Sequence, residues 1–278
     1  MMATLQRLSD IGMLAFVISS MLAMGISQPL QDVIAPLKNP TTVLTALLVN
    51  FVLAPLLAIG LTRVIPLEPA HATGLLLLGG AAGAPFLPKL AELSGGHLAH
   101  SVALMVLLMI GSIVFVPLAM PLIVTGLKAD AWDIARPLLL LLLLPLAAGF
   151  SLSRSAGAPL LLKLARRISN LSFVLLVGLL VGLNLETMAG TLSTFAIPAA
   201  AIYVLGMAAI GHLLGGKDAS KRIVSALCAG NRNFAVALVV AAASFEDPAI
   251  TVMLLVTSIT GLVLLLMITR LIRPAAAV

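Results

Sequence analysis

Apolar runs of about twenty residues recur along this chain from near its start to near its end, and their interiors are almost free of charge. The hydrocarbon core of a bilayer is about 30 Å thick, which a helix crosses with about 20 mainly apolar residues. Marking runs bounded by charges, Pro or Gly gives nine candidate spans, at 10–26, 41–64, 70–94, 98–124, 131–152, 168–186, 191–215, 222–245 and 248–270. Overall 61% of residues are hydrophobic and 9% charged, whereas a soluble domain carries roughly a quarter charged residues. The expected fold class is an all-α integral membrane protein of about nine transmembrane helices, with the lipid bilayer as its solvent.

Short connections leave no room for a soluble domain, so residues 1–278 read as a single transmembrane domain. The first run follows Arg7 as in a signal peptide but lacks a small-residue cleavage site before a polar region, and it reads as a retained helix. The net charge of +6 is dispersed between the apolar runs without an aromatic-interleaved basic patch, which excludes a nucleic-acid surface. The lone Cys228 excludes an intrachain disulfide.

Lys and Arg are retained on the cytoplasmic side of membrane proteins. One face of the nine-span arrangement collects Lys38, Arg154, Lys163, Arg166, Arg167, Lys217, Lys221, Arg222, Arg270 and Arg273. The opposite face has Arg7, Arg63, Lys128 and Arg136, beside Glu68, Asp130, Asp133, Glu186, Glu246 and Asp247. That asymmetry places the N-terminus outside and the C-terminus in the cytoplasm of a plasma membrane, as in a bacterial inner membrane.

Two spans depart from the rule of uncharged interiors. The third reads Gly79-Gly80-Ala81-Ala82-Gly83-Ala84-Pro85-Phe86-Leu87-Pro88-Lys89, and the eighth reads Cys228-Ala229-Gly230-Asn231-Arg232-Asn233-Phe234. Both are expected to be broken helices, because Gly and Pro free backbone groups that only protein or a water-filled cavity can satisfy at membrane depth. Paired interrupted helices in two halves of a chain point to the central site of a secondary transporter.

In order and spacing these residues resemble the bile acid:sodium symporter family. Asn50-Phe51 with Pro55 is similar to the family's Gln-Phe with a Pro four residues on. Gly79 to Val102, including Ser94-Gly95-Gly96-His97-Leu98-Ala99-His100-Ser101, is similar to its first crossing helix and the loop after it. Pro117 and Pro121, Leu143-Leu144-Pro145 with Gly149, and Gly230 with Asn233 fall on further shared positions. The resemblance implies an inverted-repeat transporter fold with two broken crossing helices. The repeats fall at about 10–124 and 131–272, and the first helix of the ten-helix form is missing.

The family's sodium-binding members carry a carboxylate where Cys228 stands, a Gln at Arg232, and hydroxyl or amide side chains at Pro85, Leu87 and Pro88. Hard cations need oxygen ligands. Asn50, Ser101, Asn233 and backbone carbonyls are the residual candidates for a sodium site, and no other cofactor is implied.

An arginine near a bilayer centre costs about 2.5–3.5 kcal/mol on insertion scales, so Arg232 must face protein, water or ligand. It could replace sodium as a permanent cation, bind an anionic substrate, or do both. Lys89 is either a second such charge or an interfacial residue that snorkels to the headgroups. Asn231 and Asn233 could meet substrate or satisfy unwound backbone. Thr257 and Ser258 fall where relatives place substrate-facing groups, or bond their own helix carbonyls four residues back. His97 and His100 read as a solvated turn and His71 as an interfacial histidine. No HExxH, GxSxG or Walker-type loop is present, and no enzyme is expected. The function that follows is a secondary transporter of a small organic anion. The alternative is a non-transporting sensor or docking protein of the same fold.

Overall fold

The computed structural model describes residues 2–27, 31, 34–127, 131–183, 185–191 and 194–271. Lys128, Asp130 and Arg273 lie outside the described residues. Among the described residues every regular element is helical.

Eight segments are long and apolar enough to cross a membrane, and they fall on eight of the nine expected spans. Five of them are α1 (Met2–Ser27), α2 (Pro40–Val64), α5 (Leu98–Ile123), α6 (Ala131–Leu152) and α7 (Ala158–Leu183). The other three are α9 (Ala196–Leu214), the interrupted stretch Ala219–Ser244, and α12 (Pro248–Leu271). The remaining expected span, 70–94, is divided into α3 (Pro69–Gly80) and α4 (Leu87–Ser94), of 12 and 8 residues. Neither half crosses hydrocarbon alone at 1.5 Å per residue. A short α8 (Leu185–Thr191) follows α7, and residues 231–233 divide Ala219–Ser244 into α10 (Ala219–Gly230) and α11 (Phe234–Ser244).

The sixth span starts earlier than expected. Helix α7 begins at Ala158 rather than 168, so Lys163, Arg166 and Arg167 are helical residues and not loop charges. A hydropathy boundary stops at charge, but Leu, Lys, Ala and Arg are all good helix formers and carry the helix on.

Helices α2 and α6 share a local device. Pro55 has no N–H to return to the carbonyl of Phe51, and the backbone ahead of it widens into a π turn over Val49–Leu53, with the Ala54 amide bonded to the Val49 carbonyl. The same turn recurs over Leu139–Leu143 ahead of Pro145. In α2 it re-aims Asn50 into the protein, where it is 2% exposed.

Helix α1 packs on α7 and on the second half of α6. The α1–α6 contact is backbone to backbone: a Cβ added to Gly149 would lie 2.8 Å from the Gly25 Cα, so neither position admits a side chain. The rest of the chain packs around the interrupted helices. Helix α3 lies on α11 and α12, and α4 lies on α10 and α5. The first half of each broken helix therefore pairs with the second half of the other, which brings the two breaks together. The buried core around them is built from Leu75, Leu78, Met105, Met109, Tyr203 and Met253 among others. Outward faces remain apolar, as at Leu56, Leu122, Leu171 and Leu213, and they suit lipid rather than water.

Candidate functional site

The first break is fixed by its sequence. Gly83 has φ +78°, a left-handed conformation natural to glycine, and a Cβ there would run into the Met109 backbone. Ser112 of α5 closes the opening from the side, its hydroxyl accepting from the Ala82 amide at 2.9 Å and donating to the Ala82 carbonyl at 3.0 Å. At the second break Asn231 and Asn233 leave helical geometry, and Asn233 caps α11 by accepting from the Val236 amide.

The breaks are joined directly. The Asn233 amide donates to the Ala81 carbonyl at 2.9 Å, and its Nδ2 donates to the Gly83 and Ala82 carbonyls at 3.0 and 3.4 Å. Asn233 thus covers the Ala81 and Gly83 carbonyls in a buried setting and shares the Ala82 carbonyl with Ser112, and it is 0% exposed.

Arg232 completes the junction. Its Nε donates to the Leu78 carbonyl at 3.0 Å, Nη1 to Asn50 Oδ1 at 2.9 Å, and Nη2 to the Gly79 and Asn50 carbonyls at 2.7 and 3.4 Å. Leu78 and Gly79 belong to the last turn of α3, where the helix dipole is negative; the Leu78 carbonyl also accepts from the capping Ala81 amide at 3.1 Å. Asn50 is oriented in turn, because its Nδ2 donates to the Ala46 carbonyl at 3.0 Å. A guanidinium has five N–H donors, and four are engaged by neutral oxygens of the protein. At 7% exposure Arg232 is a buried cation held by dipoles, with no carboxylate among these partners.

A cavity of about 700 Å³ leads to this junction between α1 and α7 on one side and the end of α3, α4, the end of α10 and the middle of α12 on the other. Its inner end is lined by Asn231, Thr257 and Ser258. Asn231 Nδ2, Thr257 Oγ1 and Ser258 Oγ are buried without a hydrogen-bond partner among the described residues. The back-bonds that the sequence allowed Thr257 and Ser258 are therefore not made, and these buried polar atoms stand unpartnered beside the cavity. Phe16 of α1 and Phe173 of α7, tilted against each other with ring centroids 5.1 Å apart, add an apolar patch to the lining.

Lys89 lines the cavity from α4 with its side chain 53% exposed and paired to Glu92 at 2.8 Å. Ser101 is fully buried, donates to the Leu98 carbonyl at 2.7 Å, and lines neither this cavity nor a second, smaller one. That second cavity, about 220 Å³, is bounded by Asn50, Cys228 and His100. Two histidines differ from their expected settings: His100 is 5% and His71 2% exposed, so neither is a solvated surface residue. Of the expected site residues, Arg232, Asn233 and Asn50 form one bonded cluster, Asn231, Thr257 and Ser258 line the adjoining cavity wall, and Lys89 stands apart from the cluster. Sequence reasoning missed Ser112, which no motif marks. It also missed Arg166, Ser169 and Asn170, which line the cavity from α7; an earlier helix start would have revealed their shared face.

The sequence profile of the Sodium Bile acid symporter family matches residues 14–191, which include the Asn50 turn and the first break. Over 130 residues, 46% of the chain, it is 30% identical to a probable sodium/metabolite cotransporter, BASS2, chloroplastic, of Oryza sativa subsp. japonica. The match covers 31% of that relative, so the chain spans under a third of its length. A profile that runs through the helices building the first break, and over well more than half the chain, settles the assignment: the protein belongs to the sodium bile acid symporter family.

Proposed function

We propose that this protein is a secondary transporter of a small organic anion in which the Arg232 guanidinium serves as a built-in cation, so that sodium is not the coupling ion at this site. The observation that carries the reading is the set of acceptors around Arg232. The α3 carbonyls and both Asn50 oxygens form an oxygen-rich pocket of the kind a hard cation uses, and a guanidinium already fills it. Asn233 covers the carbonyls of the first break in the same way. Cys228, where sodium-binding relatives hold a carboxylate, offers a thiol buried to 3% exposure.

Charge supports an anionic solute. The cavity lining has Lys89, Arg166 and Arg232 against one carboxylate, Glu92. The unpartnered Asn231, Thr257 and Ser258 groups, next to Asn233 and the Arg232 junction, supply neutral donors and acceptors at the inner end. The paired π turns and paired breaks support two inverted repeats, near 10–124 and 131–272, within one transmembrane domain of nine crossings. The N-terminus lies outside and the C-terminus in the cytoplasm of a plasma membrane.

Proteoliposomes containing the protein, offered pooled anionic metabolites in sodium or choline buffer, test the reading. Saturable accumulation of an anion to the same extent in both buffers is expected. Strong sodium stimulation would reject the built-in cation. No accumulation of any compound would favour the alternative, a sensor or docking protein on the transporter fold.

A further inference from the structure

Of the three cations that line the cavity, two are already engaged. Arg232 gives four of its N–H groups to protein oxygens, and Lys89 is paired with Glu92 at 2.8 Å. Arg166, on α7, makes no hydrogen bond or ion pair with any described residue. Arg166 is exposed, as are its neighbours Lys163 and Arg167, but only Arg166 of the three lines the cavity, with Ser169, Asn170 and Phe173, three, four and seven residues on, sharing its face.

Resting on the anion-transport reading above, we infer that Arg166 is the residue that meets the anionic group of the solute, and that Arg232 is not. A carboxylate or sulfonate matches the planar guanidinium fork and its free donors. From Arg166 the cavity wall runs along α7 past Phe173, about 10 Å at 1.5 Å per residue. The solute that fits carries its charge at one end, an apolar body against Phe16 and Phe173, and hydrogen-bonding groups toward Asn231 and Thr257.

The test uses thiol-reactive methanethiosulfonates as probes, one ending in an ethylsulfonate and one in an ethyltrimethylammonium. Each forms a mixed disulfide with a cysteine and releases methanesulfinate. The reporter is Ser20→Cys, on the α1 wall facing α7, in a Cys228→Ala background, with the protein in an uncharged detergent so that no lipid phosphate occupies Arg166. Arg166→Gln should lower the anionic-to-cationic rate ratio about fivefold or more, since one unit charge at several ångströms acts oppositely on the two reagents. Arg166→Lys should keep most of the ratio, and Arg167→Gln should leave it unchanged. An unchanged ratio in Arg166→Gln, or an equal fall in Arg167→Gln, overturns the inference. So does a larger fall in Lys89→Gln. The assay needs no transport: a ratio that falls as expected in a protein that accumulates nothing would reject transport and keep Arg166 as the anion contact. Accumulation of an anion by Arg166→Gln at wild-type apparent affinity would reject Arg166 and keep transport.

Discussion

Replacing Arg232 with Gln removes the charge and leaves an amide with two N–H donors where the guanidinium uses four. At least two of the four acceptors, among the Leu78, Gly79 and Asn50 carbonyls and Asn50 Oδ1, then lose the side-chain donor, and because the Leu78 carbonyl keeps the Ala81 amide at 3.1 Å, at least one is left without a partner. A buried acceptor left unsatisfied costs about 1–3 kcal/mol, which sets the minimum; the favourable setting of a cation at the C-terminus of α3 adds about 0.3–1 kcal/mol. Arg232→Gln should therefore unfold at a distinctly lower temperature in detergent, and it should lose transport at equal abundance.

The same change uncovers an oxygen pocket, and a ligand that binds only the folded protein stabilises it by RT ln(1 + [L]/Kd). Sodium should consequently raise the unfolding temperature of Arg232→Gln relative to choline while leaving the wild type unmoved. Adding Cys228→Glu, which returns a carboxylate to the last turn of α10, should strengthen the sodium effect and restore part of the transport only in sodium. The measurements are paired melting curves and uptake assays in the two salts. Wild-type stability and uptake in Arg232→Gln would refute the reasoning, and so would equal sodium stabilisation of the wild type. Failure of both variants in both salts, with apparent affinity lost before abundance, would mean that Arg232 binds the solute itself.

Gly83→Ala should cost about 2–5 kcal/mol, from left-handed backbone strain and overpacking against the Met109 backbone, and should lower both abundance and melting temperature. A reporter fused after Arg273 should read cytoplasmic and one placed before Arg7 external; two cytoplasmic readings would show an even number of crossings. Asp218, in the turn before α10, accepts from the Lys221 and Ser220 amides, and these bonds hold its carboxyl below the ordinary 3.8. With the folded value depressed, its stabilisation is complete above 3.8 and is lost as pH falls through the lower folded value. Hydrogen exchange at the start of α10 should accordingly be faster in Asp218→Ala than in the wild type at neutral pH, and the difference should close in strong acid.

The spans were legible because hydrocarbon imposes a single requirement, and α2, α5, α6 and α12 lie within a residue or so of their expected limits. Both breaks were legible for a related reason, since Gly83, Pro85 and the Asn231-Arg232-Asn233 triplet conflict with a continuous apolar helix. The start of α7 was not, because Arg166 and Arg167 satisfy helix propensity and violate hydropathy, and hydropathy set the expected boundary. The partners of Arg232 were also beyond reach. They are two backbone carbonyls of α3 together with the backbone and side-chain oxygens of Asn50, which a π turn points inward, and carbonyls leave no mark in a sequence. Ser112 shows the same limit, being an unremarkable serine in a long apolar helix until the Ala82 backbone is brought against it.

A covalently attached cation changes what can drive such a transporter. A dissociable ion biases a two-state protein only through its different affinity for the two states, multiplied by its concentration on each side. A guanidinium fixed to the chain has no concentration, so the α3–Asn50 pocket can hold the breaks together but cannot report an ion gradient. If Arg232 is that cation, the bias must come from the solute, which has to contact both sides of the cavity unequally in the two states. Arg166 stands on the α1–α7 side, and Asn231, Thr257 and Ser258 stand on the side of the crossed helices. An anion that bridges them is bound most tightly when both walls are within reach, and it loses one set of contacts when they part. On the proposed reading, exchange of one anion for another or flow down the solute's own gradient is expected, whereas accumulation against the gradient would require a second ion site away from Arg232.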